Sequence, residues 1–133
     1  MNIAIVGATG NVGRKTLEVF DKKNFKFDNL YLVASEKSAG KKISFRDKEY
    51  VIENLETYDF SKADITFFAA GGKIAEKFAE KAAKHTIVID NSSFFRMDPD
   101  VPLIVPQVNP SEIKKMNKNI IANPNCSTAQ LVI

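Results

Sequence analysis

NIAIVGATGNVG, residues 2–13, begins as a strand and ends as a helix. Asn2 to Val6 have the apolar pattern of a buried strand, and a glycine-rich turn follows at once. From Arg14 to Lys22, apolar residues return at roughly helical spacing, namely Leu17, Val19 and Phe20. A strand that runs through a glycine loop into a helix is the opening unit of a dinucleotide-binding fold.

Strands and helices keep alternating after this unit. Strand patterns occupy Leu30 to Ala34, Asp64 to Ala70, Thr86 to Asp90 and Ile120 to Ala122, and helical patterns run from Lys73 to Lys84 and onward from Ser127. Residues 43–53 resemble a short excursion of the sheet. This order predicts a Rossmann-like, doubly wound parallel α/β sheet with right-handed crossovers. Its ligand crevice is expected at the carboxyl ends of Val6, Ala34 and Ala70.

The last helical pattern, which begins at Ser127, covers only about two turns, which is short for a helix that covers a sheet. Residues 1–133 therefore end where a domain would continue, so we expect either a fragment of a longer protein or partner elements that come from elsewhere. In either case the Rossmann-like sheet within this chain would be incomplete.

Composition limits the classes of function. The 133 residues are 44% hydrophobic and 26% charged, which is ordinary for one globular domain. The net charge of +3 is small and the lysines are spread along the chain, so nucleic acid is not an expected partner. The longest apolar runs, such as Ile65 to Ala70, are too short to span a bilayer, and Met1 leads directly into a strand pattern. We expect a cytoplasmic protein that binds neither membrane nor metal, and its one cysteine excludes an internal disulfide.

Gly7, Gly10 and Gly13 form a Gly-x-x-Gly-x-x-Gly loop between the first strand and the first helix. Backbone N–H groups at such a helix start can bind a pyrophosphate. Gly10 would permit close approach of the phosphates, and Gly13 would permit close packing of helix on strand. The spacing differs from the usual Gly-x-Gly-x-x-Gly, so a tight strand–helix turn without a ligand is the alternative interpretation.

The end of the second strand indicates which dinucleotide binds. NAD sites usually carry an acidic residue about 20 residues past the glycines, and it binds the ribose hydroxyls. Here Ser35, Lys37 and Ser38 offer two hydroxyls and an ammonium, which suit a 2′-phosphate, although Glu36 lies between them. These residues favour NADP, and a solvated charged turn is the alternative.

Cys126, the only cysteine, lies in NIIANPNCSTAQ, residues 119–130. The apolar run Ile120 to Ala122 ends at the turn signal Asn-Pro-Asn, and a helical pattern opens at Ser127. A thiol at a strand–turn–helix junction lies near unpaired backbone N–H groups and the positive end of a helix dipole, which favour the reactive thiolate. Free cysteines are also among the most buried residues, so this pattern by itself is equally consistent with a small core residue.

Six motifs, in register from Met1 to Ile133, resemble aspartate-semialdehyde dehydrogenase. They are Gly-Ala-Thr-Gly-Asn-Val-Gly at 7–13, Ala-Ser-Glu-Lys-Ser-Ala-Gly-Lys at 34–41, Ala-Ala-Gly-Gly at 69–72, Val-Ile-Asp-Asn-Ser-Ser-Phe-Phe-Arg-Met-Asp at 88–98, Val-Pro-Leu-Ile-Val-Pro-Gln-Val-Asn at 101–109 and Asn-Pro-Asn-Cys-Ser-Thr at 123–128. The first motif is shared with many Rossmann proteins, whereas the last three, in this order and spacing, are highly specific. A related family, N-acetyl-glutamyl-phosphate reductase, carries Pro-Gly-Cys at the thiol, where this chain has Pro-Asn-Cys, and this difference favours the aspartate enzyme.

The resemblance implies a role for individual residues. Cys126 falls on the family's nucleophile, and Arg96 and Asn125 fall on residues that bind the substrate's phosphate. Matches to the cofactor site are Gly7, Thr9, Gly10, Asn11, Val12 and Gly13 in the pyrophosphate loop, Ser35, Lys37 and Ser38 in the 2′-phosphate turn, and Gly72 and Asn91 near the nicotinamide ribose. Gln107 stands where many members have glutamate, and this departure affects no named role.

The resemblance also implies an activity. It is the reversible, NADP-dependent reductive dephosphorylation of aspartyl phosphate to aspartate semialdehyde through a cysteine thioester, in the biosynthesis of lysine, threonine and methionine. The partners would be this small-molecule substrate and phosphate, and the complete enzyme would be a homodimer or homotetramer. The family's acid/base histidine, substrate-orienting glutamine and carboxylate-binding arginine lie in its later half. The resemblance therefore implies that residues 1–133 are the N-terminal dinucleotide-binding domain of a longer enzyme, and that a second domain for dimerisation and catalysis lies outside this chain. His85 is the only histidine here and does not match the catalytic position, so we interpret it as structural and expect the 133-residue chain alone to be inactive.

Two further classes stay open beside the two dehydrogenase families. Extended short-chain reductases and sugar epimerases also begin with Gly-Ala-Thr-Gly, but they need a Tyr-x-x-x-Lys pair well beyond the third strand. Tyr58 and Lys62 have that spacing and lie before Asp64, which indicates an accidental match. The last class is a non-catalytic domain that binds or senses a dinucleotide.

Overall fold

A computed structural model describes all residues from 1 to 133. Its strands, in chain order, are β1 (Asn2–Val6), β2 (Asn29–Ala34), β3 (Lys42–Phe45), β4 (Lys48–Val51), β5 (Glu53–Asn54), β6 (Ile65–Phe68), β7 (Ile87–Asp90) and β8 (Ile120–Ala122). The α-helices are α1 (Asn11–Lys22), α2 (Gly72–Ala83) and α3 (Cys126–Val132), and short 3-10 helices cover Phe60–Lys62 and Pro110–Lys115.

The main sheet confirms the predicted doubly wound, Rossmann-like topology. It has six strands in the order β5-β2-β1-β6-β7-β8, and every neighbouring pair is parallel. The order along the chain reverses between β1 and β6, which is the switch point where α/β sheets bind ligands outside the carboxyl ends of the strands. The glycine loop leaves β1 at this point, so the topology places it in the crevice.

Alternate residues of β1 point to opposite faces of the sheet and join two separate cores. Ile3 and Ile5 belong to a core with α1, through residues such as Leu17 and Phe20. The intervening residues of β1 belong to a core with α2, which includes Ala4, Val6, Ala75, Phe78, Ala79 and Ala82. A parallel sheet is normally covered on both faces, and here the two helices provide that cover near β1.

The predicted excursion of the sheet is an antiparallel hairpin of β3 and β4. Arg46 in its turn anchors it to the end of α1, because the guanidinium donates to the carbonyl of Phe20 at 2.5 Å and of Phe25 at 2.9 Å. The same guanidinium lies over the Phe45 ring, 4.9 Å from its centroid. The hairpin is therefore fixed to the body of the domain.

The face of the sheet beyond α1 is less completely covered. Val19 and Ile87 are exposed, and a cavity of about 260 Å³ opens between α1 and the sheet, lined in part by Phe67 and Ile89. None of the helices is both long and apolar enough to cross a membrane.

Candidate active site

A cavity of about 280 Å³ lies at the carboxyl ends of β1, β2 and β6. Gly7, Thr9 and Gly10 line one wall, Ser35 lines the wall beyond β2, and Ile74 of α2 contributes on another side. The structure therefore brings together the glycine loop and the first residue of the predicted 2′-phosphate turn. A dinucleotide lying across this cavity would meet the start of α1.

The start of α1 is free to bind an anion. Gly10 precedes the helix without a side-chain cap, and the backbone N–H groups of Asn11, Val12 and Gly13 have no acceptor within the chain. The first turn contains no acidic side chain. Unpaired N–H groups at a helix start, next to its positive dipole end, are the usual donors to a pyrophosphate. These residues fit the phosphates of a dinucleotide.

Gly7 and Gly13 have a packing role that is distinct from phosphate binding. Gly7 has a φ of +88°, and a Cβ there would lie 2.6 Å from the carbonyl oxygen of Ala69. A Cβ on Gly13 would lie 2.3 Å from the carbonyl oxygen of Gly7. Only glycine permits this contact of α1 with the turn that leaves β1.

Residues after β2 form the turn that is predicted to bind the 2′-phosphate of NADP. Ser35 and Lys37 are exposed and Ser38 is partly buried. The turn is closed by a hydrogen bond from the N–H of Ser38 to the carbonyl of Ser35 at 2.9 Å. Gly40 then donates to the carbonyl of Ile52 at 2.9 Å, which ties the turn to the chain that leaves the hairpin. Lys37 and Ser38 do not line the 280 Å³ cavity and stand beyond Ser35 on this turn.

Cys126 lies at the predicted strand–turn–helix junction. It is the first residue of α3, it directly follows the turn Asn-Pro-Asn at 123–125, and it is exposed. Asn125 caps the helix, since its Oδ1 accepts from the N–H of Ser127 at 2.9 Å. The Cys126 Sγ lies 3.9 Å from the same oxygen. Within residues 1–133, therefore, Cys126 does not belong to either core.

A second cavity of about 460 Å³ contains the thiol. The predicted site residues on its wall are Val12, Asn91, Arg96, Asn125 and Cys126, and Gln107 lines it as well. The structure thus brings the predicted nucleophile, both predicted phosphate ligands and one residue of the glycine loop into one cavity. Gly72 begins α2 after Gly71, which has a φ of +86°, and lines neither of the two cavities.

The Arg96 guanidinium is held by two backbone carbonyls. Its Nε donates to the carbonyl of Asn123 at 2.7 Å, and its Nη2 donates to that of Asn91 at 3.2 Å. A guanidinium has five N–H donors, so three remain for an anion in the cavity. Sequence reasoning missed the role of Asn123, although it begins the Asn-Pro-Asn turn, because a backbone carbonyl leaves no signal in residue type.

The segment after Arg96 is fixed at both of its ends. The Asp98 carboxylate accepts hydrogen bonds from the N–H of Asp100 and from the Lys118 ammonium. These two hydrogen bonds, the first more than the second, lower the pKa of Asp98 below its usual value. Farther on, Asn109 clamps the chain: its Oδ1 accepts from the N–H of Val105 at 2.8 Å, and its Nδ2 donates to the carbonyl of Leu103 at 2.9 Å.

This clamp shapes one wall of the 460 Å³ cavity, formed by Ile104, Val105, Pro106 and Gln107. Sequence reasoning gave this wall no role. The motif at 101–109 marked the segment as specific, but its pattern predicted neither a strand nor a helix.

His85 and the Tyr58–Lys62 pair, to which the sequence gave no catalytic role, lie away from both cavities. His85 precedes β7, whereas Asn91 follows it, so the imidazole lies at the amino ends of the strands and Cys126 lies at their carboxyl ends. Tyr58 lies before β6, at that same amino-end edge, and burial raises the pKa of its hydroxyl above the ordinary range. Lys62 pairs with Glu53 at 3.0 Å. None of the three can act at the crevice.

Comparison with known proteins gives a consistent result. Residues 2–116 match the family described as "Semialdehyde dehydrogenase, NAD binding domain". The chain is 53% identical to aspartate-semialdehyde dehydrogenase of Aquifex aeolicus, over 98% of this chain and 39% of that protein. It therefore spans about two fifths of the length of this curated relative.

Solved structures show the same relation. The structure of aspartate semialdehyde dehydrogenase II from Vibrio cholerae, complexed with ASA, superposes with a TM-score of 0.94 at 50% identity, over 98% of this chain and 43% of that one. That of aspartate semialdehyde dehydrogenase with NADP from Candida albicans superposes with a TM-score of 0.74 at 29% identity, over 98% of this chain and 44% of that one.

Proposed function

The chain belongs to the semialdehyde dehydrogenase family through its NAD-binding domain, and on that premise we propose that residues 1–133 are the dinucleotide-binding domain of an NADP-dependent aspartate-semialdehyde dehydrogenase. The reaction is the reversible reductive dephosphorylation of aspartyl phosphate to aspartate semialdehyde. The enzyme would be cytoplasmic, act in the biosynthesis of lysine, threonine and methionine, and assemble as a homodimer or homotetramer.

One observation carries this proposal: the exposed Cys126 thiol and the Arg96 guanidinium share one cavity of about 460 Å³. A thiol is a good nucleophile and a good leaving group, and a guanidinium matches the geometry of phosphate. Acyl transfer between sulfur and phosphate needs both groups in one place. The relative from Vibrio cholerae, whose structure is in complex with ASA, supports the choice of substrate.

The residues of the chain divide the chemical work. In the oxidative direction, the Cys126 thiolate forms a bond to the aldehyde carbon, the carbonyl π bond breaks, and the oxygen becomes the alkoxide of a thiohemiacetal. A bound NADP would supply the acceptor for the hydride that leaves this carbon as the thioester forms. Inorganic phosphate then attacks the carbon of the resulting thioester, and the Cys126 thiolate leaves. Arg96 and Asn125 hold and orient that phosphate beside the sulfur, and Arg96 balances its charge.

Two alternatives share the fold and differ in activity. An N-acetyl-γ-glutamyl-phosphate reductase would use the same thiol chemistry on a longer substrate, and a sensing domain would bind the dinucleotide without turnover. A phosphate-dependent assay of NADP reduction, run in parallel with both semialdehydes, separates all three. Turnover with the glutamate-derived aldehyde alone would replace the substrate assignment, and no turnover with either would favour the sensing domain.

We predict that Lys37→Ala weakens binding of NADP about tenfold in the complete polypeptide, since a charge-assisted hydrogen bond to the 2′-phosphate is lost. Binding of NAD, which lacks that phosphate, should change less than about twofold. Titration of each cofactor, followed by fluorescence or calorimetry, measures both values. Lys41→Ala is the matched control, because it removes the same charge from an exposed position a few residues farther along the same motif. An equal loss for both cofactors would contradict the role given to Lys37.

We predict that the 133-residue chain alone gives no measurable turnover. Its single histidine lies at the wrong edge of the sheet, and general acid–base help typically contributes about 10²–10⁴-fold. The comparison is between this chain and the complete polypeptide, in the phosphate-dependent assay with aspartate semialdehyde. Comparable turnover of the two would show that an acid/base group lies within residues 1–133.

A further inference from the structure

Asp90 is a fully buried carboxylate at the carboxyl end of β7, immediately before Asn91 of the candidate active site. Its two oxygens are bonded by one residue: Oδ1 accepts from the N–H of Ser92 at 3.0 Å, and Oδ2 accepts from the Ser92 hydroxyl at 2.7 Å. A buried charge without compensation is costly, so both of these hydrogen bonds matter to the local structure. The mechanism above uses neither residue.

The pair determines how the chain turns toward Arg96. The Ser92 hydroxyl also accepts from the N–H of Phe94 at 3.3 Å, so one buried hydroxyl joins β7 to the next part of the turn. Asn91 lies between the two partners, and its N–H donates to the carbonyl of Phe68 at 3.0 Å. The Asn91 peptide is therefore held from both sides.

That peptide supplies one of the two carbonyls that hold the guanidinium, the acceptor of Arg96 Nη2. The other carbonyl belongs to Asn123, whose own N–H donates to the Asp90 carbonyl at 2.8 Å. Both acceptors of the guanidinium are thus attached to Asp90, one through the chain and one through a hydrogen bond.

We propose that the buried Asp90–Ser92 pair is a positioning device that aims the Arg96 guanidinium into the 460 Å³ cavity and so sets the affinity of the phosphate site. The pair touches no substrate and acts through Arg96. The inference rests on the proposed function only in taking Arg96 as a ligand of phosphate.

The chain offers a matched control in the neighbouring serine. Ser92 is buried, 8% exposed, whereas Ser93 is exposed and its hydroxyl makes no hydrogen bond. Ser92→Ala and Ser93→Ala remove the same atom one residue apart in the same turn. Only the first removes a bond to Asp90.

The experiment measures protection of the Cys126 thiol from alkylation by inorganic phosphate, in the complete polypeptide. Ser92→Ala should raise the half-protecting phosphate concentration about three- to tenfold, and Ser93→Ala should change it less than about twofold. Ser92→Thr, which keeps the hydroxyl, should give the half-protecting phosphate concentration of the wild type. If Ser92→Ala does not fold, Asp90→Asn, which keeps the shape and removes the charge, should show a shift in the same direction.

A double-mutant cycle distinguishes positioning from a purely structural role. In an Arg96→Lys background the ammonium cannot bond both carbonyls at once. Ser92→Ala should therefore raise the half-protecting phosphate concentration less than about twofold in that background. An undiminished effect in that background would overturn the proposal. The proposal would also be overturned if Ser92→Ala lost thermal stability but kept the half-protecting phosphate concentration of the wild type.

A wild-type protein that phosphate fails to protect would also overturn it, together with the phosphate role of Arg96. The proposed function is judged separately, by turnover of aspartate semialdehyde measured on the same preparations. Active enzyme with unchanged phosphate dependence in Ser92→Ala would reject the positioning role and leave the dehydrogenase assignment standing.

Discussion

Replacing Cys126 by serine in the complete polypeptide is expected to lower kcat for phosphate-dependent oxidation of aspartate semialdehyde by more than about 10³-fold. A serine hydroxyl is far less ionised at neutral pH than a thiol, and its ester would be a poorer acyl donor to phosphate than a thioester. The substitution changes one exposed atom at the start of α3, so the fold should not be affected.

The decisive readout pairs turnover with cofactor binding. NADP affinity should remain within about twofold of the wild type, because Cys126 does not line the cavity beside the glycine loop. Loss of activity with intact binding assigns the thiol to the chemical step. Retention of a tenth or more of the activity would remove Cys126 as the nucleophile and favour a different reaction on the same fold.

Replacing Gly13 by alanine is expected to destabilise the domain by about 3 kcal/mol or more. The added Cβ would lie 2.3 Å from the carbonyl oxygen of Gly7, an atom of backbone that cannot move without displacing α1 from β1. Alanine is otherwise the better helix former, so a gain of stability would be expected if this contact did not exist.

Gly10→Ala is the matched comparison within the same loop. A Cβ there would lie 3.4 Å from the same oxygen, an ordinary contact, so the fold should persist. That Cβ would stand at the start of α1, where the phosphates are proposed to lie, and nucleotide affinity should fall. Urea denaturation and cofactor titration of both variants test the distinction. Equal stability of the two would contradict the packing role of Gly13.

Much of the fold was predictable because its signals are periodic and local. The apolar run of β1, the glycine loop and the Ala-rich pattern of α2 each indicate their structure within a dozen residues. Several boundaries differ from the prediction. Helix α1, for example, begins at Asn11 and not at Arg14, because its first turn lies within the glycine loop, where apolar spacing gives no helical signal. Strand β5, with two residues, is too short to leave a pattern.

The candidate site was predictable only in its side chains. Motif resemblance selected Cys126 and Arg96, and the structure places both in one cavity. The motif resemblance could not indicate that the carbonyl of Asn123, 27 residues away from Arg96, would accept a hydrogen bond from the guanidinium. Such a contact forms only when β7 and β8 pair, and its acceptor is a backbone carbonyl, which every residue type has.

The sheet order has a consequence for how this domain can evolve. The turn that carries Ser35, Lys37 and Ser38 follows β2, whereas Cys126 follows β8, and β1, β6 and β7 lie between them. Four strand spacings of about 4.8 Å separate the two by roughly 19 Å, beyond the range at which substitutions usually couple. Under the proposed assignment, selection for one redox pool or another can rewrite the turn after β2 without disturbing the thiol, so a lineage can exchange its cofactor while the chemistry at Cys126 is inherited intact.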